Sequence, residues 1–331
     1  MTRNILVTGG AGYIGSHTCK ELSRWGYSPI VFDNLERGHG RAVKWGPLVI
    51  GDLANKDEIR DVIESFHIEA VVHFAAFAYV GESVKHPGLY FRNNVANTLN
   101  LLDVMTETKV RNIVFSSTCA VYGVPGALPI TEETPVAPIN PYGETKLQVE
   151  RILACYEKAH GLRWTALRYF NAAGADPEGE IGENHSPETH LIPLAMQAAL
   201  GQTAPLQIFG TDYPTEDGTA IRDYIHVADL ADAHVRALAY LCSGGASGAF
   251  NLGTGQGLSV KEIIREIEAI SKLQVPVIEA ARRPGDPPQL VANTLRAHHI
   301  LGWSPKYSDV STIVQTALQW EQSRAMTLAA E

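Results

Sequence analysis

Short apolar runs recur through the first half of the chain, at Ile5-Leu6-Val7, Ile30-Val31-Phe32, Leu48 to Ile50, Ala70 to Phe74, Ile113 to Phe115 and Thr165 to Leu167. Helix-like amphipathic stretches separate them. Runs apolar on both faces suit buried parallel strands, and their alternation with helices predicts an α/β fold with a doubly wound parallel sheet. Ligands of such sheets bind beyond the carboxyl ends of the strands. That directs attention to Asp52, Ala75-Ala76-Phe77, Ser116-Ser117-Thr118 and Tyr169-Phe170-Asn171. After Asn171 the pattern changes: Gly, Pro, Glu and His dominate up to Pro193, and short strands and turn-rich loops follow. This predicts a second, smaller α/β domain that binds the substrate. Ala228 to Leu241 reads as a helix, and Ala249 to Leu252 as a strand able to return to the first sheet. The expected division is 1–175 with a returning segment at about 226–253, and 176–225 with 254–331.

The first strand runs into TGGAGYIGSH, where Gly9, Gly12 and Gly15 recur every third residue, and Tyr13 to Trp25 then reads as a helix ending at Gly26. Glycines at such a junction allow a tight turn and close approach of backbone to a pyrophosphate, which rests on unpaired N–H groups at the helix start. The second strand ends at Asp33, 21 residues after Gly12. An acid there binds ribose hydroxyls and repels a 2′-phosphate, so the segment predicts a Rossmann-type domain that takes NAD rather than NADP. A generic strand-turn-helix with Asp33 as a cap is the alternative.

The stretch from Pro141 to His160 reads as a helix with proline in its first turn, carrying Tyr142 and Lys146 on one face. An ammonium held near a phenol lowers a pKa that is ordinarily about 10. Alone, Tyr-x-x-x-Lys fits an exposed helical pair; downstream of a dinucleotide loop it fits proton transfer. A third hydroxyl is expected where the preceding strand ends, and Thr118 is chosen as the relay.

Composition adds bounds. The 331 residues suffice for roughly two domains, and 45% hydrophobic and 19% charged residues with a mean hydropathy of -0.06 fit a folded, soluble chain. With 27 Lys plus Arg against 36 Asp plus Glu, the net charge of -9 gives no help to nucleic-acid or anionic-membrane binding. No apolar run reaches the roughly 18 to 20 residues of a membrane helix, and the start MTRNILVTGG lacks a leader pattern, so a cytoplasmic protein is expected. Cys19, Cys119, Cys155 and Cys242 lack metal or redox spacing and read mostly as buried thiols. Cys119 in particular reads as a core thiol rather than a nucleophile. The 12 histidines offer no HExxH, and no metal site is expected.

Together, TGGAGYIGSH, HFAA, FSSTCAVYG, PYGETK and RYFNAAGA resemble the extended short-chain dehydrogenase/reductase family. TDYPTEDGTAIRDYIHVADLADAHV, NLGTG and RRPGD are similar to the sugar-nucleotide domain of its UDP-sugar 4-epimerase branch, and the likeness runs from Asn4 to about Trp320. It implies Tyr142 as catalytic base, Lys146 as its tuner and ribose holder, and Thr118 as the Ser/Thr of the site. On the NAD side it implies the glycine loop with Tyr13 and Ile14, Asp33 and Asn34 at the ribose, and Asp52 and Leu53 at adenine. Phe74, Ala75, Ala76, Asn93, Ser116, Tyr169 and Phe170 complete that cleft. On the UDP-sugar side it implies Asn171, Leu191, Gln207-Ile208-Phe209, Arg222, Arg283 and Asp286. The implied reaction oxidises UDP-glucose or UDP-galactose at C4 and returns hydride to the other face of the 4-keto sugar, in a homodimeric isomerase of galactose metabolism.

Plainer readings stand beside several of these: surface ion pairing for Arg222 and Arg283, a helix cap for Asn93 and a turn residue for Asp52. Ala78 replaces a lysine that in some members reaches the NAD pyrophosphate, His190 replaces an asparagine, and Leu290 occupies the position that gates N-acetylated sugars. The rivals are a 4-epimerase of UDP-xylose/UDP-arabinose, UDP-N-acetylglucosamine or UDP-glucuronate, a 4,6-dehydratase, and a non-catalytic NAD-binding regulator. A dehydratase would carry an Asp-Glu pair where Cys119-Ala120 stand, and regulators typically lose the Tyr or Lys.

Overall fold

A computed structural model describes residues 3–283 and 286–330, with side chains through Arg324. Seven parallel strands form the main sheet, in the order Gly248–Leu252, Arg163–Tyr169, Asn112–Ser116, Ala70–His73, Asn4–Thr8, Ser28–Asp33, Leu48–Ile50. Each predicted apolar run falls on one of these strands, with Phe74 one residue beyond the end of Ala70–His73. Side chains alternate between two buried layers, so Ile5 and Val7 enter one core and Leu6 the other. The first layer is covered by Tyr13–Arg24 and Val227–Cys242, the second by Lys56–Ser65, Asn97–Glu107 and Pro141–His160. From Asn4–Thr8 the chain builds outward to Leu48–Ile50, then crosses to Ala70–His73 on the other side. That reversal opens the crevice in which doubly wound sheets bind ligands.

The helix Pro141–His160 begins where the sequence predicts. The Asn140 side chain accepts the Gly143 N–H at 2.8 Å, proline occupies the first turn, and Gly161 at φ 69° ends it. Pro87–Tyr90, Phe91–Ala96 and Asn97–Glu107 form one helical run whose middle is π-wound. Asn93 therefore lies inside a helix, and the cap reading fails.

The second lobe has a sheet of Gly257–Ser259, Ile221–His226 and Gln289–Leu290, with Asn171–Ala173 also paired to Ile221–His226. Leu206–Phe209 pairs with Val277–Ala280, and Leu191–Ala199, Val260–Ser271 and Val310–Ala330 enclose a core around Met196, Ile263 and Val314. The lobes interleave twice: Gly248–Leu252 joins the main sheet, and Ala297, Leu301 and Trp303 fill its core. No helix of the described residues is long and apolar enough to cross a membrane. The four cysteines are free; Cys19 and Cys119 are buried, but Cys155 is exposed and Cys242 half-buried, so burial holds for two rather than most.

A buried charge pair fastens the helix Pro141–His160 to the sheet. Arg168 Nη2 donates to Glu150 Oε2 at 2.5 Å and Nη1 to the Tyr122 hydroxyl at 2.9 Å, while Ser117 Oγ donates to Glu150 Oε1 at 2.5 Å. Arg168→Met, which strands the Glu150 carboxylate, should cost about 3–5 kcal/mol in urea unfolding, and adding Glu150→Gln should recover much of that loss.

Candidate active site

The glycine loop is a backbone cradle with no room for side chains. Gly9 adopts φ +72°, and a Cβ there would lie 2.5 Å from the Ala75 nitrogen. A Cβ on Gly15 would lie 2.3 Å from the Gly9 carbonyl oxygen. Gly12 caps the helix Tyr13–Arg24 in extended conformation, and its first turn carries no acidic residue to compete with an anion for the helix N–H groups. Tyr13 contributes backbone to this cradle, because its hydroxyl donates to the Gly174 carbonyl at 2.6 Å.

Asp33 ends its strand with the carboxylate accepting the Ala11 and Leu35 N–H groups at 3.0 and 2.9 Å. Burial raises its pKa against these two bonds. Asn34 Nδ2 donates to Asp52 Oδ2 at 3.0 Å, and Asp52 Oδ1 also accepts the Ala54 N–H at 2.8 Å. Asp52 is thus both a turn residue and part of the rim, with Leu53 buried behind it. The steric cradle, the helix start and the acid at the second strand end fit a dinucleotide with free ribose hydroxyls. Phe74 and Ala76 are half-buried on the adjoining strand end.

Tyr142 stands in the first turn of its helix, 7% exposed, its N–H donating to Ser83 Oγ at 3.2 Å. Burial pushes its phenol well above the usual value and Tyr169 adds to this, while a hydrogen bond with the Thr118 side chain pulls the other way. Thr118 Oγ1 in turn accepts the Ala120 N–H at 3.1 Å. Lys146 Nζ donates to the Ser116 carbonyl at 2.8 Å and lies 6.0 Å from the Tyr142 ring centre. Burial lowers its pKa to about 7, opposed by Glu150. Burial acts against the charged form of both groups, so the phenol stands above its usual value with the lysine beside it. The Ser116 and Tyr169 hydroxyls meet at 2.8 Å, and Phe170 is buried beside them.

Residues of the second lobe sit across from this edge. Asn171 is half-buried at a strand start, and Leu191 opens the helix Leu191–Ala199. Arg283 stacks 4.6 Å over the Phe209 ring and pairs with Asp286 at 3.3 Å. Gln207 is exposed, but Ile208 is buried in the lobe core, so its side chain cannot face a ligand. Arg222 Nη1 donates to the Ile221 carbonyl at 2.8 Å and is near enough to lower the pKa of Cys119 and Tyr213. Leu290 packs on the cluster of Cys119, Leu147 and Phe170 beneath Thr118.

Two features escape the sequence reading. Asn94, rather than Asn93, bridges the cleft wall: it accepts the Phe77 N–H and donates to the Phe77 carbonyl and Thr145 Oγ1 at 2.8, 3.0 and 3.1 Å. Tyr213 is buried, and that burial together with Asp286 raises its pKa against Arg222, Arg282 and Arg283; its place in TDYPTEDG is the signal that marks it.

The class follows from the comparisons with known proteins. The model of the NAD dependent epimerase/dehydratase family matches residues 5–253, and the chain belongs to that family. A relative from Rhizobium meliloti (strain 1021) named UDP-glucose 4-epimerase is 53% identical, covering 97% of this chain and 98% of the relative. The solved UDP-glucose 4-epimerase from Brucella ovis in complex with NAD is 54% identical, with TM-score 0.94 over 96% of this chain and 98% of that one. The enzyme from Bifidobacterium longum in complex with NAD+ and UDP is 38% identical, with TM-score 0.92 over 97% and 99%.

Asp33→Ala removes the carboxylate at the end of the second strand, the candidate ribose acceptor. It should weaken NAD by about 1.5–3 kcal/mol, roughly 10- to 100-fold in Kd, and narrow the preference over NADP. An unchanged preference in fluorescence titration would withdraw Asp33 from the ribose.

Proposed function

We propose that the protein interconverts UDP-glucose and UDP-galactose by reversible oxidation at C4. What supports this reading is Tyr142 hydrogen-bonded to the Thr118 side chain with Lys146 Nζ 6.0 Å from its ring centre, in a chain whose glycine loop leaves no room for a Cβ at Gly9 or Gly15. Tyr142 accepts the C4 hydroxyl proton, with the Thr118 hydroxyl bonded to the phenol as a relay. Lys146, anchored on the Ser116 carbonyl, holds the cofactor ribose and keeps positive charge near the phenol. NAD, when bound, would supply the hydride acceptor and a positive charge within the cleft. The 4-keto sugar then turns over, presents its other face for reduction, and recovers a proton from Tyr142.

Such chemistry needs UDP held firmly and the hexose loosely, so binding energy belongs on the nucleotide. Arg222, Arg283 and Asp286 serve the diphosphate and ribose, Phe209, Gln207 and the Ile208 backbone the uracil side, with Leu191 and Asn171 near the sugar-nucleotide. Arginine suits a diphosphate because it stays charged and binds in two-pronged fashion. Against a 4,6-dehydratase stands Cys119-Ala120 after the threonine, with burial pushing the thiol up to about 12, which leaves no acid for elimination. The family resemblance supports a homodimer acting in the cytoplasm in galactose metabolism, with residues 1–175 and about 226–253 as the NAD domain.

The test is to incubate the protein separately with UDP-glucose, UDP-N-acetylglucosamine, UDP-xylose and UDP-glucuronate and read epimer ratios by proton NMR. Conversion of UDP-glucose is expected; no conversion of any substrate would favour the regulator. Tyr142→Phe should leave NAD bound and lower turnover by about 100-fold or more. Near-normal turnover would remove Tyr142 from its role.

A further inference from the structure

The loop that leads into the helix Leu191–Ala199 carries Glu183, His185, Glu188 and His190 within eight residues. None of the four has a part in the reaction above. We propose that they form a binding site for one divalent transition-metal ion of the zinc class.

One ligand atom from each residue lies within 4.8 Å of all the others. His185 Nδ1 stands 2.9 Å from Glu183 Oε1 and 3.8 Å from Glu188 Oε1, and His190 Nδ1 stands 3.9 Å from Glu188 Oε1 and in contact with Glu183 Oε1. Ligands about 2.0–2.1 Å from a tetrahedral zinc are separated by about 3.4 Å, so these spacings straddle the edges of such a shell. Both imidazoles present the same nitrogen to the same two carboxylates.

Unmet polar atoms point the same way. Glu188 has a side chain only 7% exposed, yet its Oε2 has no hydrogen-bond partner. His185 Nδ1, though close to Glu183, makes no hydrogen bond with acceptable geometry. Buried polar atoms are rarely left this way, and a cation would satisfy both.

The scaffold is already fixed. Glu188 Oε1 accepts the N–H groups of Thr189 and His190 at 2.7 and 2.9 Å. The Glu183 carbonyl accepts the Trp320 indole N–H at 2.7 Å. The His185 ring meets the edges or faces of Tyr13 and Tyr79 at 6.1 Å. His190 caps its helix without a side-chain cap bond and is 46% exposed along its side chain, which leaves an entry path, and its Nδ1 contact is with Glu183, itself one of the four ligands. Two imidazoles with two carboxylates suit zinc rather than magnesium or calcium, which prefer oxygen alone. The ion would clamp this loop beside Tyr13, where the dinucleotide helix begins.

The sequence reading expects no metal because the 12 histidines offer no HExxH. The rival state of the cluster is metal-free, with the imidazoles protonated and ion-paired to the carboxylates. Calorimetric titration of untagged, chelator-stripped protein with zinc chloride separates the two. Uptake should saturate at one ion per chain, cobalt should give the visible bands of a tetrahedral site, and the melting temperature should rise by roughly several degrees. Glu188→Gln and His185→Gln should each weaken zinc at least about tenfold and remove the cobalt bands. No stoichiometric uptake, or equal affinity in the wild type and both variants, would overturn the site.

Discussion

The site depends on a column of charge buried under one helix. Lys146 and Glu150 lie a turn apart in Pro141–His160, and both reach the residues that follow the strand Asn112–Ser116: the lysine bonds the Ser116 carbonyl, the glutamate the Ser117 hydroxyl. Arg168 closes the column from the next strand. Burying charge is costly unless it finds a partner: Arg168 and Glu150 pair with one another, while Lys146 rests on the neutral Ser116 carbonyl with its pKa lowered by burial. The effect is positional. Tyr142 on the helix and Thr118 after the strand cannot slide past one another while these bonds hold.

The same economy of placement explains the interleaved lobes. Thr118 and Tyr142 belong to the carboxyl edge of the main sheet, whereas Arg222 and Arg283 stand on the smaller lobe. Asn171–Ala173 leaves the last central strand and pairs with Ile221–His226, and Gly248–Leu252 returns beside Arg163–Tyr169. The smaller lobe is thus tied at several points to the sheet that holds the chemistry. A chain with net charge -9 can place arginines against an anionic ligand this way without a basic surface.

What the sequence made legible is what local rules decide. The strands, the glycine loop and the helix Pro141–His160 follow from apolar runs, steric need and a first-turn proline. What it hid depends on partners distant in sequence. Nothing near Asn93 and Asn94 says which will bridge to Phe77 and Thr145, because the choice turns on a π-wound turn. Ile208 looks like its neighbours until the strand pairs and turns it into the core. Glu150 and Arg168 read as ordinary helix and strand charges until the fold buries them together. The cluster at Glu183 to His190 is contiguous, but only the loop's path brings its four ligand atoms within 4.8 Å of one another.

The lysine-phenol pair shows why spacing alone misjudges electrostatics. Four residues apart on a helix, Lys146 and Tyr142 suggest an ammonium that lowers a phenol, but burial acts on both and disfavours each charged form. The phenol is driven up and the lysine down to about 7. Burial thus favours the protonated phenol, and positive charge in the cleft would act against that shift. A phenol set in this way would lose its proton most readily once positive charge occupies the cleft, which would couple proton transfer to occupancy without any moving part.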